Sequence, residues 1–359
     1  MSGEDPHEIP ALKAPDGFHT DFDDPNSIHY QQVAVASAAL AVTTVTVVAR
    51  TYVRARVMKK FDLTDVSLLL SLSIFVAFVS LAIKTGDYGQ GHHQWNVRLS
   101  DFMQLLKIIN ALEILYPPLV FFAKYVVLRQ IETTFFQHQS RSWSYWSLQA
   151  LIWANLFFYT AFFFSFIFAC TPREKIWNVL LTEGTCIDNS AALISSSGIN
   201  LVSDTAILIL PLATILKLQM STKNRLQVGG VFAIGVFAIT ASAVRLYYTV
   251  KLTKSQDTTY VVEPFGYWSE IEYASIILVA CFPLFPLLFR HLSQQGQKMT
   301  SRSKSSSQGP DDTGYRQNSF TKLRDDRIHD AEAGQGFEMG RTQTHIAHSA
   351  HDRSEQSMR

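Results

Sequence analysis

The sequence predicts an all-α, polytopic membrane protein: a bundle of seven transmembrane helices with the N-terminus outside and the C-terminus in the cytoplasm. Three observations predict it. Seven apolar stretches run through the first 290 residues, each near the ~20 residues that cross a hydrocarbon core of about 30 Å as a helix. Lipid offers no partner for unpaired backbone groups, so only helices or closed barrels span it. These runs are too long and too continuous for barrel strands of about 10 alternating residues. Lys and Arg are also unevenly shared between the two sets of loops, and the richer set belongs in the cytoplasm.

The elements follow in order. Residues 1–29 form an acidic extracellular tail, with Glu4, Asp5, Glu8, Asp16, Asp21, Asp23 and Asp24 against Lys13 alone. That is the reverse of a signal-peptide n-region, so span one is expected to act as its own insertion signal. Span one covers Tyr30 to Val53 and ends in Arg50, Arg54, Arg56, Lys59 and Lys60, the cluster that weighs most in the orientation. Span two covers Asp65 to Lys84, followed by a glycine-rich loop, Gly86 to His93. Span three covers Met103 to Arg129, with a kink expected at Pro117-Pro118. Spans four to seven cover Leu148–Ala169, Ser190–Leu216, Leu226–Val250 and Trp268–Phe289. The seven spans make a domain of residues 30–290. Residues 291–359 carry almost no aliphatic side chains and read as a disordered cytoplasmic tail. Ser301, Ser303 and Ser305 to Ser307 in that tail are either phosphorylation sites or plain solvated residues. His345, His348 and His351 are a weak pattern for metal, so no metal site and no cofactor are expected.

Composition excludes several classes. The 359 residues are 47% hydrophobic and 17% charged, with a net charge of +1 and three cysteines. There is no basic block suited to nucleic acid, and too little cysteine for a disulfide-dense domain. No Gly-x-Ser-x-Gly or His-Glu-x-x-His motif is present, and no paired aspartates face each other, so no enzymatic activity is expected.

Ionisable groups inside spans are costly and mark the candidate sites. They are Lys107, Glu113 and Lys124 in span three, Asp204 in span five, Arg245 in span six, and Glu270 and Glu272 in span seven. At 1.5 Å per residue, Arg245 comes to lie at the depth of Glu270 and Glu272. An ion pair of Arg245 with Glu272, or with Glu270, is expected, as a clamp between helices or as a ligand contact. Glu270 is alternatively solvated at the interface. Glu113 is expected to line the same outward cavity. Asn200 lies one turn before Asp204 on the same face, as an ion or water site or as a helix lock. Lys124 is expected to snorkel to the cytoplasmic surface, with pairing to Asp204 the alternative. Cys170 and Cys186 flank an extracellular loop, where a disulfide is expected over two free thiols. Cys281 reads as a packing residue.

These pieces together resemble the fungal rhodopsin-domain family of seven-helix integral membrane proteins, whose better-known relatives are orphan receptor-like proteins of filamentous fungi. The resemblance covers residues 30–290. It rests on Arg50-Thr51-Tyr52-Val53-Arg54 with Asp62 and Asp65, on Gly89-Gln90-Gly91-His92, and on Cys170-Thr171-Pro172 with Trp177 and Gly184-Thr185-Cys186. It rests further on Asn200 and Asp204 before Pro211, on Arg245, and on Glu272 before Cys281-Phe282-Pro283 and Pro286. Three departures matter. Trp268 to Phe289 contains no Lys for a retinal Schiff base, so light sensing by that chemistry is not expected. Span three ends Lys124-Tyr125-Val126-Val127-Leu128-Arg129-Gln130, without the acidic-Arg-Tyr triplet of the largest receptor class. Residues 1–29 hold no Cys, so the cysteine-rich ligand module of some relatives is not expected.

Two functions of different kind are consistent with these features. One is a receptor-like, non-enzymatic protein of the plasma membrane, with a small extracellular ligand and a cytoplasmic signalling partner. The other is a small-solute or ion transporter using Asp204, Asn200, Glu113 and Arg245. The absence of an internal repeat counts against the second.

Overall fold

The computed structural model describes residues 9–22, 26–135, 143–215 and 222–294. The expected cytoplasmic tail beyond residue 294, with its serine and histidine clusters, lies outside them. Among the described residues, seven helices are long and apolar enough to cross a membrane. They are α1 (His29–Tyr52), α2 (Leu63–Lys84), α3 (Leu99–Phe135), α4 (Trp143–Ile167), α5 (Asn189–Ile215), α6 (Thr222–Lys254) and α7 (Thr258–Cys281). α1 runs on through π-helical turns over Val53–Met58, and α7 through a 3-10 turn over Phe282–Leu284.

Many Ser and Thr residues sit within these apolar helices, and lipid would not tolerate a loose hydroxyl. Several donate instead to the carbonyl one turn back. Thr43 bonds to Ala39, Ser37 to Val33, Ser67 to Leu63 and Ser275 to Ile271, at 2.7–2.9 Å. The bulky side chains facing outward are apolar, among them Val45, Val48, Phe157, Phe164, Val202 and Phe237. Such a surface would aggregate in water and is suited to lipid.

The core is centred on α7, which packs against α1, α3 and α6. Its apolar part joins Ala36 and Val47 to Leu68, Phe75, Val120, Ala123 and Ile277, all nearly inaccessible to solvent. Tyr273 stacks on Phe75 at 4.2 Å between centroids and meets the Ser71 hydroxyl at 3.0 Å. Ser71 also donates to the Leu119 carbonyl, tying α2 to α3 just after the proline pair. α3 stays helical through Pro117-Pro118, and α7 through Pro264.

α7 is the main departure from expectation. It begins at Thr258, ten residues before the expected Trp268, after a connection of only Ser255, Gln256 and Asp257. Glu263-Pro264-Phe265-Gly266 reads as a loop by its turn residues but lies inside the helix. Glu270 and Glu272 are therefore about 18 and 21 Å along the axis from its start, near mid-helix and not in the first turns.

The α2–α3, α4–α5 and α6–α7 connections lie at one end of the bundle, termed here the disulfide end. Cys170 and Cys186 are bonded there and pair their strands β1 (Cys170–Thr171) and β2 (Thr185–Cys186). Lys175 crosses the loop to the carbonyls of Thr182 and Gly184. Part of the acidic tail is also ordered against this end. Ala11 donates to the Val97 carbonyl, Leu99 to that of Ile9, and Phe18 packs on Trp95.

Candidate functional site

At the opposite, arginine end, Arg50 is 1% exposed and does not extend to solvent with its basic neighbours. Its Nε lies 3.4 Å from Asp65 Oδ1, and its Nη1 donates to Gln130 Oε1 and to the Ala280 carbonyl. One guanidinium thus ties α1, α2, α3 and α7 together. Asp65 also accepts from the Asp62 backbone N–H, closing the first turn of α2.

The middle of the bundle holds a second buried polar network. Arg245 Nε and Glu272 Oε2 are 2.8 Å apart, each side chain 1% exposed. The two atoms are not aligned as a hydrogen bond, so the contact is an ion pair only. The guanidinium lies 4.9 Å over the Tyr116 ring and 5.9 Å from that of Phe265. Glu272 Oε1 accepts from Tyr116 and, at 2.6 Å, from Asn200 Nδ2. Lys124 Nζ lies 2.8 Å from Asp204 Oδ1 and 2.8 Å from Asn200 Oδ1. Tyr159 donates to the same Asn200 oxygen, and Ser242 donates to Asp204 Oδ2. Asn200 is the hub. Its amide oxygen takes Lys124 and Tyr159, and its amide nitrogen reaches Glu272, Asp204 and Ser242.

This network draws on α3, α4, α5, α6 and α7. It matches two cations, Lys124 and Arg245, with two carboxylates, Asp204 and Glu272. Matched charges with further hydrogen bonds are the form in which ions persist in a low-dielectric interior. The structure brings Arg245 to Glu272 and not to Glu270. Lys124 does not snorkel: it is 1% exposed and turned inward to Asp204. A cationic stem leaves a bundle interior only when no partner is in reach, and here there are two.

A third cluster lies nearer the disulfide end. Glu270 is fully buried and not solvated; its Oε1 accepts from Gln32 Nε2 at 2.7 Å. Glu263, also fully buried, accepts from Gln90 Nε2 at 2.7 Å and meets His29 Nδ1 at 3.0 Å. His29 Nε2 lies 3.0 Å from the Ile83 carbonyl. A carbonyl only accepts, so Nε2 carries a hydrogen, and one proton lies between Nδ1 and Glu263. The glycine-rich loop forms the socket for this imidazole. A Cβ on Gly86 would stand 2.3 Å from the His29 ring, and one on Gly91 2.8 Å from the His29 backbone nitrogen. Gly89 and Gly91 also hold φ of +90° and +86°. His92 in this loop has its pKa lowered, chiefly by burial and then by the neighbouring His29, against the pull of Glu263.

Two cavities approach the central network from its two sides. The one toward the disulfide end, about 90 Å³, touches all seven helices and is lined by Gln32, Glu113, Tyr116 and Arg245 among apolar walls. Glu113 thus shares a cavity with Arg245; Asn110 and Asn189 are its polar neighbours. The other, about 150 Å³, is almost wholly apolar and has Lys124 and Asp204 in its lining. Among the described residues no group of His, Cys, Asp and Glu is placed to hold a metal.

His29, Gln32, Glu263, Tyr116, Tyr159 and Ser242 are not among the residues the sequence singles out, and Gln90 stands out only within the glycine-rich loop motif. A polar stripe at Glu263, Glu270 and Thr259, spaced by helical turns, was the signal available for α7. The Pro-x-Gly that follows Glu263 masked it.

A seven-helix membrane protein with a neutral ionic septum between two cavities is the class that fold and site define. The chain belongs to the fungal rhodopsin domain family, whose sequence model matches residues 49–291. It is similar to a SAT4 family membrane protein of Emericella nidulans, 37% identical over 228 residues, which is 64% of this chain and 57% of that protein. The match therefore spans little more than half the length of that relative. It is also similar to the Fugralins biosynthesis cluster protein 2 of Gibberella zeae, 29% identical over 284 residues, covering 78% of this chain and 71% of that one. No solved structure matches it.

Proposed function

We propose that the chain is a receptor-like, non-enzymatic protein without retinal, seated in the plasma membrane with the disulfide end outside and the arginine end in the cytoplasm. One observation carries the reading. The cavity at the disulfide end touches every helix and is lined by Arg245 and Tyr116, the partners of Glu272. From Glu272 an unbroken set of contacts runs through Asn200 to Lys124 and Asp204 beside the second cavity. A ligand that engages Arg245 more strongly in one arrangement of this network than in another shifts the balance between them. A cytoplasmic partner reads that shift at the arginine end. The orientation is supported by Arg54, Arg56, Lys59 and Lys60 clustering at that end, and by the preference of disulfides for oxidising compartments.

A transporter of small solutes or ions is the second reading, favoured by the two cavities meeting the same septum from opposite sides. Protein in nanodiscs, screened with small polar metabolites for saturable binding, separates the two when paired with flux assays in proteoliposomes. Binding without flux supports the receptor. Flux driven by a solute or proton gradient replaces it with the transporter.

A further inference from the structure

The cavity at the disulfide end has hydrogen-bonding capacity that the protein leaves unused. Arg245 Nη2 and Gln32 Oε1 are buried without partners, and both residues line the cavity. Arg245 is 1% exposed and Gln32 fully buried, so bulk water does not reach them. A buried donor or acceptor left unpaired is costly, and a ligand that pairs it recovers that cost. The occupant therefore brings an acceptor to Arg245 and a donor to Gln32.

Charge narrows the class. Arg245 is already matched by Glu272, and Lys124 by Asp204, at 2.8 Å each. An anion would add an unmatched charge to this neutral set and share the cavity with Glu113. A cation would face the guanidinium across a space of only about 90 Å³. Burying a net charge on these terms is unfavourable. Phe78, Phe166, Leu252 and Phe265 supply an apolar lining for the rest of the ligand. The volume is below the ~150 Å³ of a cavity that accepts benzene, so the ligand, or the part of it that enters, is small.

We infer that this cavity binds a small uncharged organic group with a carbonyl-type acceptor for Arg245 and a hydroxyl or N–H donor for Gln32. The inference rests on the receptor-like reading of the same cavity.

The test uses three probes of nearly equal size that differ in charge: glycolamide, neutral; glycolate, an anion; and glycinamide, a cation. Each is titrated against the full chain in nanodiscs and followed by ligand-observed NMR. Glycolamide is expected to bind saturably, at least about tenfold more tightly than either charged probe, since the site rejects what it cannot pair. Gln32→Met should weaken glycolamide about fivefold or more. Ser269→Leu, which adds bulk to the cavity wall beside Gly266 without removing a member of any ion pair, should abolish binding; it carries the test if Gln32→Met does not fold. Tighter binding of glycolate or glycinamide, sensitive to Ser269→Leu, overturns the neutral class and leaves the cavity as a ligand site. Glycolamide binding that Ser269→Leu does not change, or no binding of any probe, overturns the inference outright. Glycolamide flux across proteoliposomes would uphold the ligand class while removing the receptor reading.

Discussion

Arg245 and Glu272 offer the sharpest test of the central network, because each single loss leaves a charge behind. Arg245→Met keeps the length of the side chain and removes the cation. Glu272 then keeps its hydrogen bonds from Asn200 and Tyr116 but loses its counter-charge at 2.8 Å. Breaking a buried ion pair costs about 3–5 kcal/mol. The two surviving hydrogen bonds place this case at the lower end, about 3 kcal/mol. The lost stacking over Tyr116 adds about 1 kcal/mol. A total of about 4 kcal/mol is close to a thousandfold in the folding equilibrium. Glu272→Gln retains an acceptor for Asn200 and Tyr116 but strands the guanidinium, with an expected cost of about 3 kcal/mol.

The double variant, Arg245→Met with Glu272→Gln, removes both charges and keeps those hydrogen bonds. It should cost about 1–2 kcal/mol, less than either single, because no unmatched charge remains. Unfolding by SDS titration from mixed micelles measures all four proteins in one cycle. If the double variant costs the sum of the singles, the two residues are energetically independent and the septum is not an ion-paired unit. If both singles fold as wild type and only ligand binding is lost, the pair is a binding device and not a clamp.

Other consequences follow from single features. Cys170→Ser and Cys186→Ser should each destabilise by about 3 kcal/mol, the value for a loop of about 15 residues, and the double variant no more than either, as read by thermal unfolding in detergent. Gly91→Ala should cost at least about 1–2 kcal/mol, since it forces an L-residue to φ of +86° and drives its Cβ against the His29 backbone; wild-type stability would show that the His29 socket is loose. The lowered pKa of His92 means that the folded state resists charging this ring. Its contribution is absent above the ordinary histidine range, and stability is lost as pH falls from that range toward the depressed value. His92→Asn should remove this part of the acid sensitivity in pH-dependent melting; an unchanged profile would place the titration elsewhere. Asn200→Leu should destabilise in the same SDS titration, because Lys124, Tyr159 and Glu272 each lose a hydrogen bond while both ion pairs remain; wild-type stability would show that Asn200 is not the hub.

How much of this was legible depended on which physical signal each residue carried. The helices were, because hydropathy over about 20 residues is a local property that tertiary structure cannot easily overrule. The match of Arg245 to Glu272 was also within reach, since lipid makes intramembrane charges seek each other. The choice between Glu270 and Glu272 was not. It depends on where α7 begins, and Pro264 and Gly266 signal a turn locally while the bundle holds them in a helix. Lys124 failed for a similar reason: snorkelling and inward pairing look alike until the position of Asp204 is known.

His29 shows the deeper limit. A histidine at the first residue of α1 carries no signal of burial, and a glycine-rich loop ordinarily means a flexible turn. Only the packing of Gly86 and Gly91 onto the imidazole reveals that the glycines are there for His29, and that Glu263, more than 230 residues away, completes the site. The same reasoning applies to Arg50. In the sequence it is one of five basic residues that orient the chain, yet its guanidinium is buried among four helices, and the exposed Arg56, Lys59 and Lys60 are left to face the cytoplasm in the proposed orientation. Removing Arg50 should therefore act on stability, and removing the exposed three on topology, although all of them belong to one short basic run.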